Sequence, residues 1–163
     1  MDILLINIAD VRKLTNLTKN VDSARYKQYI ISAQNIQLKN IIGSECLTDL
    51  LNAKCSGTLD QYQTALLDLV KPFLINSSFS KYVYSSPVLS TAEGLVKMEG
   101  DNITHLTNQE KKQEFSFYDG NANAYQEQII ELLESDKENY PCYHSNGCCS
   151  CCNTNNSRTI FDL

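Results

Sequence analysis

The sequence predicts a mainly α-helical domain with a β-hairpin insertion and an extended arm at each end. Over most of the chain, apolar residues recur at three- and four-residue steps, as on one face of a helix. Helix caps and stops punctuate these runs at Asp22, Gly43 and Gly57. The stretch 88–103 instead alternates short β-branched runs with turn residues. With 163 residues, the chain can bury one core but hardly two.

The first predicted helix begins at Asp22, whose carboxylate can accept the free amides of the first turn, and it stops at Gly43. Six side chains form its inward face: Tyr26, Tyr29, Ile30, Ala33, Ile36 and Ile41. We interpret its tyrosines as core residues, because they share this face with aliphatic side chains. A second helix is capped by Ser44 and ends at Gly57. Its inward residues are Leu47, Leu50 and Leu51.

A third and longer helix opens at Thr58 or Asp60 and ends before Pro87. Its apolar stripe consists of Leu59, Tyr62, Leu66, Leu69, Val70, Phe73 and Leu74. Pro72 lies inside this stripe and removes one backbone hydrogen bond, so we expect a kink just before it.

The last predicted helix spans 107–134 and starts with a capping box formed by Thr107 and Glu110. Gly120, in an Asp-Gly-Asn sequence, marks either a break or a tolerated glycine. Its inward residues are Ala122, Ala124 or Tyr125, Ile129, Leu132 and Leu133.

These segments predict two parts, a helical domain over 1–140 and a Cys-rich arm over 141–163. The apolar, β-branched run from Ile3 to Ile8 predicts a short strand or an extended arm at the other end. Beyond residue 140 the composition turns polar and shows neither a helical nor a strand period.

The charge balance argues against binding to free nucleic acid. Lys and Arg number 14 and Asp and Glu number 19, which gives a net charge of −5. Only Arg12-Lys13 and Lys111-Lys112 are adjacent basic pairs, whereas phosphate binding needs several cations on one face. No apolar run approaches a membrane span, and the N-terminus lacks the basic region of a signal peptide. We therefore expect synthesis in a cytosol and no membrane partner.

The Cys-rich arm is the one conspicuous cluster of chemically active side chains. Cys142, His144, Cys149 and Cys152 are candidate zinc ligands, because thiolates and imidazole suit tetrahedral zinc. Two adjacent Cys pairs in this arm do not fit a zinc finger, since neighbouring side chains point opposite ways. The alternative is a reduced thiol tail that oxidises outside the cell. A redox role for the C-x-x-C of Cys149 and Cys152 lacks a recognisable βαβ context. We expect no cofactor.

The sequence does not predict an enzyme. His105 and His144 are its two histidines, and neither belongs to a recognisable nucleophile arrangement. The glycine patterns that bind dinucleotides or phosphate are missing too.

Three stretches carry a family resemblance: residues 10–17 (DVRKLTNL), 41–51 (IIGSECLTDLL) and 70–74 (VKPFL). Together they resemble the small head–tail connector proteins of tailed bacteriophages, in particular the ring and adaptor proteins of crAss-like phages. The resemblance covers about residues 8 to 85 and, loosely, the last helix. It departs at 40–43, where the family often has Pro-Leu-Leu-Gly and this chain has Asn-Ile-Ile-Gly.

The resemblance implies a structural virion protein whose copies form a twelve-membered ring below the portal. Such a ring extends the DNA channel without reading the DNA sequence, and it docks the tail. Its expected partners are further copies of this chain, the portal protein and other neck and tail ring proteins. Its expected location is the virion neck, after assembly in the cytoplasm of the bacterial host.

The arms, the hairpin and the neighbouring tyrosines are the expected contact elements. The predicted interface residues are Ile3, Leu4, Leu5, Ile6, Tyr82, Tyr84, Leu89, Leu95, Val96, Met98 and Phe161. Two other functions stay open: a phage-encoded regulator that binds a host protein, and a metal or redox module built on the Cys-rich arm.

Overall fold

The computed structural model describes residues 3–17, 19, 21–85, 88–91, 94–97 and 108–144. In this part of the chain, the α-helices are α1 (Ile8–Leu14), α2 (Ser23–Ser32), α3 (Lys39–Ile42), α4 (Ser44–Ser56), α5 (Gln61–Ser85) and α6 (Asn108–Ser135). A π-helical segment, Ala33–Leu38, joins α2 to α3 without a break. The mainly α-helical class is therefore confirmed. None of these helices combines the length and apolarity that crossing a bilayer requires.

Two short strands lie between α5 and α6. Strand β1 (Val88–Thr91) pairs antiparallel with β2 (Gly94–Lys97). Val88 lies opposite Lys97, and Thr91 lies opposite Gly94. The connecting residues 92–93 and the remainder of the predicted hairpin lie outside the described residues.

Helix α5 is the centre of the fold, since α1, α2, the π-helical segment and α6 all pack against it. Ring contacts fix its direction relative to α6: Tyr84 meets Phe115 near one end, and Tyr62 meets Tyr140 near the other. The two helices therefore run antiparallel. Helix α6 passes through Gly120 unbroken, so this glycine is tolerated inside the helix.

Most predicted caps and stops are confirmed. Asp22 accepts a hydrogen bond from the Ala24 amide at 2.9 Å, and Asp60 accepts one from the Gln63 amide at 2.6 Å. Gly43 and Gly57 end their helices at positive φ, where glycine is favoured. The predicted capping role of Ser44 is wrong, because Ser44 is already the first helical residue of α4. The predicted cap Thr107 lies outside the described residues.

The π-helical segment overturns part of the predicted inward face. A π-helix closes its hydrogen bonds over five residues instead of four, which rotates the following side chains away from α-helical spacing. Ile36, expected to face inward, is 58% exposed, whereas Gln34 and Leu38 are buried. Ala33, Ile30 and Tyr26 lie in the core as predicted.

The N-terminal segment is folded onto the body, which corrects the prediction of an extended arm. The Leu5 amide donates to Gln34 Oε1 at 2.8 Å, and Lys54 Nζ donates to the Leu4 carbonyl at 3.1 Å. Leu5 and Ile6 are each 1% exposed and belong to the core. These two side chains are therefore not available for contacts between subunits.

Candidate functional site

A cleft of about 490 Å³ opens between α2 and α5, beside the start of α6. Each of the two main helices contributes side chains at steps of three and four residues, so each presents one face to the cleft. We call it the Tyr84 cleft. Its lining residues are Arg25, Gln28, Tyr29 and Ser32 from α2, Lys81, Tyr84 and Ser85 from α5, and Phe115 from α6.

Hydrogen bonds join the walls of the Tyr84 cleft. Lys81 Nζ donates to Ser32 Oγ at 3.2 Å, which links α5 to α2. Ser85 Oγ lies 2.8 Å from Tyr29 Oη and 2.7 Å from the Lys81 carbonyl. Behind the wall, the rings of Tyr29 and Tyr82 meet edge to face at 5.8 Å. These contacts give the cleft a defined shape before any ligand enters.

The cleft carries positive charge in a chain whose net charge is −5. Among the described residues that line it, two are cations, Arg25 and Lys81, and none is a carboxylate. Burial lowers the pKa of the Lys81 ammonium, because partial removal from water disfavours the charged form. A carboxylate entering the cleft would stabilise that ammonium. The cleft is therefore suited to an acidic group.

Aromatic side chains supply the apolar part of the cleft. Tyr84 is 75% exposed, and its ring lies 5.7 Å from that of Phe115. Exposed aromatic rings beside cations are typical of protein–protein interfaces. The arrangement favours a partner that presents an apolar side chain flanked by carboxylates.

The cleft brings a lysine and a serine hydroxyl together. Lys81 and Ser32 could be taken for a base and a nucleophile, but Ser32 lies where α2 continues into the π-helical segment. The next amide, that of Ala33, is bonded to the carbonyls of Tyr29 and Ile30, so it cannot stabilise an oxyanion. Within the described ranges, no cluster of His, Cys, Asp and Glu could hold a metal ion.

The structure removes Cys142 from the candidate zinc ligands, which the sequence left beside the expectation of no bound metal. This residue forms a disulfide with Cys46, with an S–S distance of 2.08 Å and a Cα–Cα distance of 5.0 Å. A sulfur in a disulfide cannot ligate zinc as a thiolate. His144 is exposed, and its Nε2 lies 3.8 Å from a Glu45 carboxylate oxygen. The other two candidates, Cys149 and Cys152, lie outside the described residues.

The predicted interface residues separate into different environments. Tyr84 is exposed, whereas Tyr82 packs inward against the rings of Tyr26 and Phe79. Ile3 is 44% exposed and Leu4 is partly buried. Leu89, Leu95 and Val96 lie in the two short strands, and Met98 and Phe161 lie outside the described residues.

The sequence predicts Tyr84 as an interface residue, but it does not predict the cleft around it. The signal was present, since Lys81, Tyr84 and Ser85 follow the spacing of one helix face. Arg25, Gln28, Tyr29 and Ser32 follow the same spacing on α2. The spacing on each helix predicts a face, but it does not predict that these two faces lie side by side.

One family model matches residues 38–153, more than two thirds of the chain, and it is described as a family of unknown function (DUF6712). The matched range contains the α5 and α6 residues of the Tyr84 cleft but not those of α2. No curated protein and no solved structure gives a significant match.

Proposed function

Since the chain belongs to the family of unknown function DUF6712, we propose a function from its own residues. In this proposal the protein is a structural subunit of a tailed-bacteriophage virion. It is a head–tail connector that forms a ring below the portal. The ring extends the DNA channel and docks the tail. The protein works through protein–protein contacts and carries out no catalysis.

The Tyr84 cleft is the observation that carries this proposal. Its combination of exposed Tyr84, neighbouring Phe115 and the cations Arg25 and Lys81 is the chemistry of a protein-binding surface. The hydrogen-bonded walls make it a rigid docking site, which lowers the entropic cost of association. A ring that must hold its shape needs contacts of this kind.

The phage part of the proposal is supported by the resemblance over residues 8 to 85. The segments that carry it span α1, the α3–α4 junction at Gly43 and the middle of α5. A net charge of −5 also suits the wall of a channel through which DNA must slide, because it makes few attractive phosphate contacts. The strand pair β1–β2 is proposed as a second contact element that reaches a neighbouring subunit.

Native mass spectrometry tests the proposal. We expect the purified protein to form closed rings, or to bind the portal protein of its phage in a fixed ratio. Purified virions should also contain the chain. A protein that stays monomeric or dimeric, ignores the portal and is missing from virions would contradict the connector function and favour a regulator.

Replacing Tyr84 by Ser should weaken assembly and leave the fold intact. Truncating a central aromatic residue of an interface typically costs about 2 kcal/mol or more of association free energy. The free energy of unfolding should change by less than about 0.5 kcal/mol, since Tyr84 is 75% exposed. Sedimentation velocity measures the first quantity and urea unfolding the second.

Leu14→Ser is the matched control for Tyr84→Ser. Leu14 is 64% exposed on α1 and does not line the cleft. The Leu14→Ser substitution therefore removes a comparable exposed apolar side chain from a different surface. Equal loss of assembly in both variants would show that the effect is not specific to the Tyr84 cleft.

A further inference from the structure

We propose that the Tyr84 cleft of one copy receives the exposed face of α6 from a second copy, so that subunits associate head to tail. This inference rests on the proposed function and names the partner of its site. The occupant is one face near the end of α6, composed of Glu127, Ile130, Glu131 and Glu134, which we call the α6 acidic face.

The α6 acidic face has the chemistry that the cleft requires. Its four residues are spaced by three, one and three positions, which places them on one side of a helix. All three glutamates are exposed, and Ile130 is partly exposed between them. An aliphatic side chain flanked by carboxylates thus matches the Tyr84 and Phe115 rings flanked by cations.

The acidic face is unfavourable in an isolated subunit. Like charges three and four residues apart on a helix repel each other, as in Glu127–Glu131 and Glu131–Glu134. Glu134 also lies in the last turn of α6, where the helix dipole disfavours negative charge and no basic residue offsets it. Cations from a neighbouring subunit would relieve both effects.

The cleft and the acidic face cannot meet within one subunit. Phe115 and Glu131 lie on the same straight element, and a rise of 1.5 Å per residue separates them by about 24 Å along the helix axis. Any contact between the two surfaces is therefore intermolecular. Because the surfaces differ, the contact is heterologous, and repeating it around an axis closes a ring.

Further positive charge lies beside the cleft. Lys111 precedes Phe115 by four residues on α6 and so lies on the same side of that helix, one turn away. Glu127 and Glu134 are about 10 Å apart along their axis, so the acidic face is long enough to reach more than one cation.

A charge exchange between two variants tests the contact. Lys81→Glu reverses one charge in the cleft, where Arg25 stays positive, and Glu131→Lys reverses the middle charge of the α6 acidic face. Each variant alone should lose self-association by about tenfold or more, because residues 81 and 131 then carry the same charge at every junction. An equimolar mixture should assemble again with alternating subunits, since each altered surface finds its complement.

Lys39→Glu and Asp68→Lys are matched controls, because they make the same charge changes at exposed positions outside both surfaces. Both should assemble as the wild type does. Circular dichroism establishes that every variant is folded. If Lys81→Glu does not fold, Lys81→Gln replaces it, and its self-association should be weaker and less sensitive to salt than that of the wild type.

Each other result overturns the inference in a distinguishable way. Wild-type rings with assembly unchanged in either variant would exclude this contact and leave the connector function standing. Loss of assembly in both variants without recovery in the mixture would show that the two surfaces meet different partners. A wild-type protein that neither self-associates nor binds the portal would remove the proposed function, and the contact with it.

Discussion

Removing the Cys46–Cys142 disulfide is expected to lower the free energy of unfolding by about 4–5 kcal/mol. The bond joins residues separated by 96 positions, so it closes a loop that contains most of α4 and all of α5 and α6. Without it, the unfolded chain gains the conformational freedom that the closed loop denies, and unfolding becomes more favourable.

The folded state should survive this change, because other contacts hold the segment that carries Cys142. Tyr140 is 4% exposed, and its hydroxyl donates to the Tyr62 carbonyl at 2.9 Å. The rings of the two tyrosines also meet edge to face. We therefore expect a less stable protein with native helix content, not an unfolded one.

Urea unfolding of the double variant Cys46→Ala, Cys142→Ala measures the effect. Cys55→Ser is the control, since Cys55 is an exposed free thiol and its replacement should leave stability unchanged. Peptide mapping of protein alkylated before reduction identifies the paired cysteines. Alkylation of Cys142 in the folded wild type, or a loss below about 1 kcal/mol, would contradict the expected role of this bond.

Elements with local causes could be predicted from the sequence. Asp22 and Asp60 cap helices because their carboxylates accept amides two or three residues away. Gly43 and Gly57 end helices because their backbone adopts positive φ. These interactions join residues that are close in the sequence, so a local sequence pattern is enough to predict them.

Features that depend on distant partners could not be predicted. Cys142 lies in a cluster that suggested zinc, but it pairs with a cysteine on α4 that carries no local motif. Ser77, Ser78 and Ser80 are polar but buried in α5, and no local sequence pattern predicts their burial. Ser78 and Ser80 satisfy their hydroxyls through carbonyls of the preceding turn, and small side chains let neighbouring helices pack closely.

The Tyr84 cleft also depends on residues that are distant in the sequence. The tyrosine itself was predicted as an interface residue from its position beside the strand pair. The cations that define its chemistry come from a separate helix and from a neighbouring turn of α5. Only the packing of α2 against α5 brings Arg25 and Lys81 to one recess.

Replacing Gln34 by Met is expected to lower the free energy of unfolding by about 2–3 kcal/mol. Gln34 is 1% exposed, and its side chain makes two hydrogen bonds to the backbone of the N-terminal segment. Its Oε1 accepts a hydrogen bond from the Leu5 amide, and its Nε2 donates one to the Ile3 carbonyl at 3.0 Å. Methionine has a similar length but offers neither group, so a buried amide and a carbonyl lose their partners.

The segment should remain docked in this variant. Releasing it would expose Leu5 and Ile6, and exposing two such side chains costs about 3–6 kcal/mol. Leaving one buried amide without a partner costs about 1–3 kcal/mol. Losing the hydrogen bond to the Leu5 amide costs less than exposing Leu5 and Ile6. The N-terminal segment therefore stays docked in Gln34→Met, but it detaches transiently more often than in the wild type.

Amide hydrogen exchange distinguishes these two states. The Leu5 amide should be protected in the wild type and exchange faster in Gln34→Met, while amides in the middle of α5 keep protection that scales with global stability. Gln113→Met is the matched control, because Gln113 is an exposed glutamine on α6 and its replacement should change neither quantity. Unchanged Leu5 exchange in Gln34→Met would mean that the apolar side chains, and not the Gln34 hydrogen bonds, hold the N-terminal segment.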